Sequence, residues 1–570
     1  MIDTLAALVT DALRAASAAD ELTLDEIPVP HLERPRDPAH GDWATNVAMQ
    51  TAKVAGIPPR RVAEIIAARI AGHPDIAAVE VAGPGFINIR LSAHALQRVL
   101  VEARTSGREF GRLDIGRGER VQVEFVSANP VGPMHVGHGR WAALGDGIAR
   151  VLEHAGYAVE REYYVNDAGV QMDIFGKSVA ARYLELCGEP VEFAEDWYRG
   201  AYITEIAREI LTAEGEKWVS APAAEREEHF KETAYTQVLA HLKRVLHEMG
   251  VDFDVWFSER TLHAPGPGGT PSEIEQAIAA LREAGHIYDK DGAVWFRSTD
   301  YGDDKDRVLK KADGDYTYFA ADIAYHKDKF DRGFDRVIDL WGADHHGYVK
   351  RMEAAAAALG HEGKLKLVIG QLVTLFRDGE VVRMSKRTGE MVTFEDLLDE
   401  VGADAARYFF LRRSTDQPLD FDITLATEQS SENPVFYVQY AHARICAILR
   451  KAAGAETGDT TVDIDATAAA LIGADAPLEL LDSEPELTLM RKLAEFPEVV
   501  DIAARQLSPH KLTRYAEDLA AIFHQFYTQC RVFDPDAPEL TSARLYAVDA
   551  TRHALATVLG LVGVSAPDRM

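Results

Sequence analysis

The sequence predicts an α/β protein with a Rossmann-type parallel-sheet domain in the middle, an α+β domain before it and an all-α helical bundle after it. After Arg120 the pattern runs strand, glycine-rich loop, helix and strand, which is typical of a parallel sheet. Mixed helix and strand patterns precede it, and helical spacing alone follows from about Asn433. At 570 residues the chain is too long for one hydrophobic core.

The first domain is expected to cover residues 1–112. Its first twenty residues form an amphipathic pattern without a basic start, which favours a helix over a secretion signal. Helical spacing follows at 62–70, and alternation at 78–91 predicts two strands joined at Gly83-Pro84-Gly85. The segment HGDWATN at 40–46 is unusually polar and aromatic, and it suits either a capped helix start or a functional segment.

The second domain is expected to cover residues 113–430. Its first strand, helix and second strand form a βαβ unit, which implies a right-handed crossover. Residues of about 170–270 appear mostly helical and are interpreted as an insertion. The third domain, residues 431–570, is predicted to be a helical bundle. The sheet and helix segments expected in the second domain are 121–126, 139–154, 159–165, 336–341 and 366–375.

Composition excludes several classes of protein. With 61 Lys and Arg against 91 Asp and Glu, the net charge of −30 argues against a general nucleic-acid coat but allows a local basic track. The sequence contains no run of about 18 apolar residues, so no membrane span is expected. The cysteines, at 187, 446 and 530, suit neither a disulfide framework nor a zinc site, so a cytoplasmic location is expected.

The most informative segment is SANPVGPMHVGHGR at 127–140. A loop leaves the carboxyl end of a strand and opens a helix, whose unpaired N–H groups favour an anion. Gly137 and Gly139 allow the backbone to approach a ring or phosphate, and His135 and His138 add donors where phosphate charge develops. The pattern predicts a nucleotide site, although a lone histidine pair is more often part of a core.

The motif HVGH at 135–138 resembles the HIGH signature of class I aminoacyl-tRNA synthetases, and RMSKR at 383–387 resembles the second signature of that family. The resemblance implies catalytic roles for His135, His138, Lys386 and Arg383. Arg383 stands where the family has its first lysine, and the two cations are not equivalent. ATP-binding roles are implied for Gly137, Gly139, Asp344, His345, Met384 and Ser385. A buried structural Asp–His pair is the alternative for Asp344 and His345.

Five segments extend the resemblance to the arginyl-tRNA synthetases: HGDWATNVAMQTAK, VEFVSANPVGPMHVGHGR, REYYVNDAG, YFAAD at 318–322 and the terminal VGVSAPDRM. Arginine is a planar cation that needs carboxylates in fork geometry. The arginine-binding residues that the resemblance implies are Glu124, Asn129, His135, Glu259, Tyr318 and Asp322. The alternatives are an ion pair of Glu124 with Arg140 or Arg161, a helix-start acid at Glu259, a helix cap at Asp322 and a core position for Tyr318.

The same resemblance makes the last domain an anticodon-binding bundle and the first a module that contacts the tRNA elbow. Unpaired bases stack on aromatic rings beside basic groups. The tRNA-binding candidates are Tyr437, Tyr440, Arg444, Arg450 and Tyr527. Aromatic residues at helical spacing are more often core, so that alternative stays open for each.

The activity implied is ATP-dependent ligation of L-arginine to tRNA(Arg) through an arginyl-adenylate, by an enzyme that needs bound tRNA for adenylate formation. The expected partners are ATP with Mg²⁺ on its phosphates, arginine and tRNA(Arg); no zinc or other metal site, no membrane and a monomer are expected. The alternatives are a tRNA-binding paralogue without catalysis and a class I nucleotidylyltransferase that charges no tRNA. The retained His135, His138, Lys386 and Asp322 argue against the first, and the helical last third argues against the second.

Overall fold

A computed structural model describes residues 2–382, 392–455, 463–473 and 475–570. The first unit is a twisted sheet flanked by helices, with strand order β1-β2-β4-β3 and antiparallel neighbours. The expected helix at the amino terminus and the hairpin around Gly83–Gly85 are confirmed. In chain order this unit contains α1 (Ile2–Ala18), β1 (Leu32–Glu33), β2 (Trp43–Thr45), α2 (Val47–Ala55), α3 (Pro59–Ile70), β3 (Ile76–Ala82), β4 (Phe86–Leu91) and α4 (Ala93–Ser106).

The middle unit is built on a parallel sheet that confirms the predicted fold class. Its elements, in chain order, are β5 (Arg120–Glu124), α5 (Val136–His154), β6 (Ala158–Val165), α6 (Val170–Leu186), α7 (Ala201–Glu214), α8 (Ala223–Glu248), β7 (Val255–Ser258), α9 (Arg260–His263), α10 (Glu273–Glu283), β8 (Ile287–Lys290), β9 (Ala293–Phe296), β10 (Arg307–Lys310), α11 (Tyr318–Asp331), β11 (Arg336–Gly342), α12 (Val349–Ala358), β12 (Leu365–Gly370), β13 (Val373–Arg377), β14 (Glu380–Val381), α13 (Phe394–Val401), α14 (Ala403–Leu411), β15 (Leu419–Asp422) and α15 (Ile423–Thr427).

Five of the described strands form this sheet in the order β12-β11-β5-β6-β7, and every neighbouring pair is parallel. Two sequence expectations need correction here. The helical insertion does not extend to residue 270, because β7 is the edge strand of the sheet. The single segment expected at 366–375 is split between β12 and β13, which belongs to a separate small sheet with β14 and β15. The antiparallel sheet β10-β9-β8 was not expected.

The last unit consists of helices and connecting loops, with no strand among its described residues, as predicted. A continuous apolar core runs through all three units, while a second, smaller core lies beneath α10, α11 and α12. Within the described chain, no helix is both long and apolar enough to cross a membrane. The helices are α16 (Pro434–Ala452), α17 (Ile464–Leu471), α18 (Glu484–Ala494), α19 (Phe496–Gln506), α20 (His510–Gln529) and α21 (Pro538–Leu561).

Candidate active site

A cavity of about 920 Å³ opens at the carboxyl ends of β5 and β11, beside the start of α5. Ligands of open α/β sheets bind at this edge, and the volume lies in the range of small-molecule sites. Of the predicted residues, those that line the cavity are Glu124, His135, Gly137, His138, Tyr318, Asp322, Asp344 and His345. The same cavity therefore brings together both halves of the expected site, the nucleotide residues and the arginine residues.

The turn after β5 is strained at the cavity wall. Val126 and Ser127 have φ values of 69° and 41°, a left-handed conformation that a β-branched valine rarely adopts. The Ser127 hydroxyl donates to Glu124 Oε1 at 2.8 Å and accepts the Tyr164 N–H at 3.2 Å. Such strain persists only where the surroundings fix it, and it is concentrated at functional sites. Ser127 and Tyr164 line the cavity but were not singled out from the sequence.

The two histidines of HVGH stack at the entrance to α5, with ring centroids 3.7 Å apart. The His135 N–H donates to His138 Nδ1 at 3.2 Å, which leaves the proton of a neutral His138 ring on Nε2. Burial, and secondarily the neighbouring His135, lower the pKa of His138 to about 3. His138 is therefore a neutral hydrogen-bond donor at pH 7, rather than a cation.

The glycines of the motif serve different ends. Gly137 lines the cavity, and a Cβ there would lie only 2.9 Å from His135 Cε1. Gly139 faces away from it, because a Cβ at that position would lie 2.3 Å from the Phe394 ring. Close packing of α5 on α13 is thus a sufficient reason for glycine at 139, and its assignment to ATP stays a prediction.

The second signature lies outside the described residues, including Arg383, Met384, Ser385 and Lys386. The described chain just after it returns to HVGH. Thr393 forms an isolated antiparallel bridge with His135, and the Phe394 N–H donates to the Met134 carbonyl at 2.9 Å. The described chain therefore resumes beside the first signature.

Asp322 lies in the first turns of α11 and lines the cavity. The cap of this helix is Thr317, so the helix-cap alternative for Asp322 is wrong. Its carboxylate accepts the Tyr348 hydroxyl at 2.5 Å. Burial raises the pKa of Asp322 to about 6, although the Tyr348 hydrogen bond opposes the shift. A buried carboxylate with a raised pKa is poised to bind a cation.

Tyr318 and Glu259 flank Asp322 differently. The Tyr318 side chain is 76% exposed at the cavity, so it is not part of the core. Glu259 is buried at the position preceding α9, and its Oε2 has no hydrogen-bond partner among the residues that the structure describes. Its charge contributes to the raised pKa of Asp322, which places the two carboxylates near each other. Glu259 makes no side-chain cap bond, so the helix-start alternative does not explain its burial.

Glu124, at the end of β5, is paired with neither Arg140 nor Arg161. Lys329 Nζ donates to Glu124 Oε2 at 2.5 Å, while Arg140 bonds backbone carbonyls and Arg161 bonds Glu153 and Asp146. Burial raises the pKa of Glu124, and Lys329 opposes the shift. The sequence reasoning missed Lys329, although Asp322, His326 and Lys329 share one face of a helix by their spacing of four and three.

Three further predicted residues, Asn129, Asp344 and His345, are exposed. Asn129 is exposed and donates to Gln171 Oε1 at 2.8 Å, and it does not line the cavity. Asp344 and His345 are both exposed at its rim, with 3.5 Å between Asp344 Oδ2 and His345 Nε2. The alternative of a buried structural pair is therefore wrong for them.

On the last unit, four of the five tRNA candidates form one surface cluster. The Arg444 guanidinium lies 4.7 Å from the Tyr440 ring centroid and 5.5 Å from that of Tyr527, which are 38% and 40% exposed. Tyr437 packs against His524, which also contacts Tyr440 and Arg444. Phe523 and Phe526 are buried, so the core alternative holds for these neighbours.

Arg450 does not belong to that surface. It is buried and donates to the Asp568 carbonyl at 3.0 Å. In the described chain, His442, Cys446 and Asp568 are a group of potential metal ligands. His442 Nδ1 lies 2.9 Å from the Pro567 carbonyl, and the Cys446 thiol donates to Asp568 at 3.4 Å. These contacts fix the terminal segment VGVSAPDRM on α16.

Comparison with known proteins agrees with this arrangement. Three family models match: "Arginyl tRNA synthetase N terminal domain" at 3–91, "tRNA synthetases class I (R), catalytic domain" at 100–422 and "DALR anticodon binding domain" at 438–570. The arginine–tRNA ligase of Heliobacterium modesticaldum is 49% identical, with 99% of this chain and 98% of the relative covered.

The arginine–tRNA ligase of Bacillus subtilis is 47% identical, with 100% and 99% covered. The structure of Thermus thermophilus arginyl-tRNA synthetase is similar with a TM-score of 0.73 at 22% identity, and it covers all of both chains, which supports the fold.

Proposed function

The chain belongs to the arginyl-tRNA synthetases, and from that premise we propose how its residues divide the ligation of L-arginine to tRNA(Arg). In this reaction the arginine carboxylate attacks the α-phosphorus of ATP, giving arginyl-adenylate and pyrophosphate. A hydroxyl of the terminal tRNA ribose then attacks the acyl carbon, and AMP leaves. The observation that carries the assignment is the single cavity that holds both HVGH and Asp322.

The phosphate end of the cavity is assigned to His135, Gly137 and His138. No protein nucleophile is needed, so positioning and charge stabilisation carry the rate. The neutral His138 ring donates from Nε2 toward the phosphates, and the N–H groups at the start of α5 face the same region. The family resemblance adds Lys386 and Arg383 as cations at this end, with Met384 and Ser385 beside ATP.

Magnesium bound together with the ATP phosphates would neutralise part of their charge. Its fit rests on donor chemistry, since hard divalent cations take carboxylate oxygens and water. Asp344 offers an exposed carboxylate at the cavity rim, whereas Glu124 and Asp322 already accept hydrogen bonds from protein groups. Asp344 and His345 are accordingly assigned to the ATP side.

The arginine end is assigned to Asp322 and Glu259 for the guanidinium, with Tyr318 packing beside it. Glu124 and His135 are assigned to the α-amino and carboxylate end; for Asn129, which does not line the cavity, that assignment rests on the family resemblance alone. Support comes from the raised pKa of Asp322 and from the unpartnered Glu259 oxygen, because a guanidinium would satisfy both carboxylates. An uncharged analogue would leave them unpaired, which is the basis of strong selection for arginine.

Binding of tRNA is assigned to Tyr437, Tyr440, Arg444 and Tyr527. The exposed rings of Tyr440 and Tyr527 contact the Arg444 guanidinium, and Tyr437 is partly buried beside them. Arg450 is left out because it serves the terminal segment.

Domain boundaries at 112 and 430 and a monomeric, cytoplasmic enzyme complete the proposal. The unpaired Cys187, Cys446 and Cys530 suit a reducing compartment. Sedimentation of the purified chain tests the monomer.

The decisive experiment is ATP–pyrophosphate exchange with each of the twenty amino acids, with and without total tRNA. Of the twenty amino acids, only arginine is expected to support exchange. The exchange should be weak without tRNA and should rise strongly when tRNA is present. Exchange with another amino acid would overturn the assignment of the cavity. Single Tyr440→Ala and Tyr527→Ala variants then test the anticodon surface, since each should raise the KM for tRNA and leave the KM for arginine unchanged.

A further inference from the structure

Three neighbouring strands each carry a carboxylate on the same rung of the parallel sheet. Asp339 of β11 pairs in register with Glu124 of β5, which in turn pairs with Glu162 of β6. Adjacent strands lie about 4.8 Å apart, and like charges at that distance oppose ionisation. This row of acids, called the carboxylate rung below, therefore needs compensation from the element packed over it.

That element is α11. Lys329 Nζ lies between two members of the rung, 2.5 Å from Glu124 Oε2 and 2.8 Å from Asp339 Oδ1. His326 Nε2 lies 2.7 Å from Asp339 Oδ2, and its Nδ1 lies 2.7 Å from the Asp322 carbonyl. The third member, Glu162, is bonded by the Tyr325 hydroxyl and by Arg332. One helix thus carries both Asp322 and the groups that balance the rung.

Lys329 is 0% exposed and does not line the cavity, whereas Glu124 does. A fully buried lysine costs stability unless acids compensate it, and here Glu124 and Asp339 do so. We infer that Lys329 is a positioning residue, which keeps Glu124 ionised and directed at the cavity so that it can receive a cationic group of arginine. This inference rests on the proposed function and adds to it a residue that never touches substrate.

Electrostatics at Glu124 agree with this role. Burial raises the pKa of Glu124 while Lys329 lowers it, so removal of the lysine must raise it further. Burial lowers the pKa of Lys329, but Asp339 and Glu124 outweigh that effect and raise it. Lys329 therefore stays charged throughout the physiological range. The groups that face or influence Glu124 are Lys329, His326, Asp322 and Tyr325 of α11, Asp339 of β11, Tyr164 of β6 and Ser127 of the following turn.

The test compares Lys329→Met with a matched lysine on the same helix. Lys327 pairs with Asp331 and is partly exposed, so Lys327→Met removes a cation from α11 without touching the rung. Arginine and ATP dissociation constants are measured by calorimetry for each full-length protein between pH 6 and 8.5. Lys329→Met is expected to weaken arginine at least tenfold at pH 7, to spare ATP, and to regain arginine affinity as the pH rises.

A second pair of variants keeps the test decisive if Lys329→Met does not fold. Asp339→Asn removes one member of the rung but leaves Lys329 beside Glu124, so arginine affinity should stay within threefold of the parent. The double variant K329M/D339N removes one cation and one anion together, which preserves the charge balance, yet it strips Glu124 of its partner. The double variant should show the weak, pH-dependent arginine binding.

The outcomes separate the possible roles. Equal arginine affinity in the double variant and Asp339→Asn at every pH would overturn the inference. An equal loss for arginine and ATP, with no displacement of the pH profile, would make Lys329 a packing residue only and would also overturn it. If the parent protein itself failed to bind arginine, the proposed function would fall first, and that result is distinguishable from both.

Discussion

HGDWATN at 40–46 and HVGHGR at 135–140 look alike in sequence, since each combines histidine, glycine and other polar residues where a helix begins. The structure gives them opposite roles. Asp42 is buried and lies 3.0 Å from Arg491 of α18, while Trp43 is buried beneath the Arg34 guanidinium at 4.4 Å. The second segment instead lines an open cavity. The polar groups of HGDWATN have partners in the last unit, and we call this contact between the two units the joint. The polar groups around the cavity are instead placed to bind a ligand.

The joint has further contacts. Arg34 Nε lies 2.7 Å from Glu498 Oε2, and Arg104 Nε lies 2.9 Å from Asp549 Oδ2, so several ion pairs link the first unit to the last. Gly41 has a φ of 97°, and a Cβ there would lie 2.7 Å from the Ile89 carbonyl oxygen. Gly41, Asp42 and Trp43 are therefore each constrained by their packing. Variants in the two regions should therefore change different quantities. Those at the cavity should slow adenylate formation, and those in the joint should lower the free energy of unfolding.

The largest effect on adenylate formation is expected from His138→Ala. Loss of one preorganised donor to developing phosphate charge costs about 10²–10³-fold in rate. Pyrophosphate exchange at saturating tRNA measures this loss, and thermal unfolding should change little. The matched control is His154→Ala at the other end of α5, where the ring bonds the Phe110 carbonyl at 3.0 Å. That control should reduce stability and leave exchange near normal. Comparable exchange in both variants would contradict the assignment.

The next effect is expected from Asp322→Asn, which keeps the size of the side chain and the acceptor for Tyr348. Truncating one partner of a buried charge pair costs about 2–5 kcal/mol, which corresponds to at least roughly 30-fold in arginine affinity. Calorimetry with arginine and with ATP measures it, and ATP affinity should be retained. Unchanged arginine binding would remove Asp322 from the pocket.

The change of arginine affinity with pH should be smaller than the loss of affinity in Asp322→Asn. The pKa of Asp322 is about 6 in the free protein, above its usual value of 3.8, and arginine binds the ionised form. Affinity is therefore complete above pH 6 and falls about tenfold for each pH unit below it. Calorimetry from pH 5 to 8 tests this. Near pH 5.5, arginine binding should release a proton from Asp322. Asp322→Asn should abolish the dependence, and a flat profile in the parent would contradict it.

The sequence predicted the order of domains because the period of apolar residues and the glycine-rich turn are local signals. Asp322 and His138, which the YFAAD and HVGH motifs singled out, both line the cavity, while their roles stay predictions. The sequence reasoning missed Lys329 because a lysine in a helix is ordinarily solvated, and only the register of β5, β6 and β11 reveals three acids beneath it.

The error at β7 has a similar cause. Four residues at the edge of a sheet carry little periodicity, so a short strand after α8 was absorbed into a helical insertion. Arg450 illustrates the converse. Its position about two turns after Arg444 suggested an RNA contact. The terminal segment instead folds back and covers it, which no local pattern reports.

The smallest effect on adenylate formation is expected from Arg491→Met in the joint. Asp42 would keep the Leu91 N–H at 2.6 Å but lose its cation, so the buried carboxylate would be only partly satisfied. An unsatisfied buried polar group costs about 1–3 kcal/mol, so the free energy of unfolding should fall by that amount while exchange changes less than about twofold. Denaturant titration and pyrophosphate exchange on the same preparation measure both quantities.

The double variant D42N/R491M removes both charges and should recover much of the stability, because no isolated carboxylate remains. A loss of exchange in Arg491→Met as large as that in His138→Ala would make HGDWATN part of the catalytic apparatus and would end the distinction between joint and site.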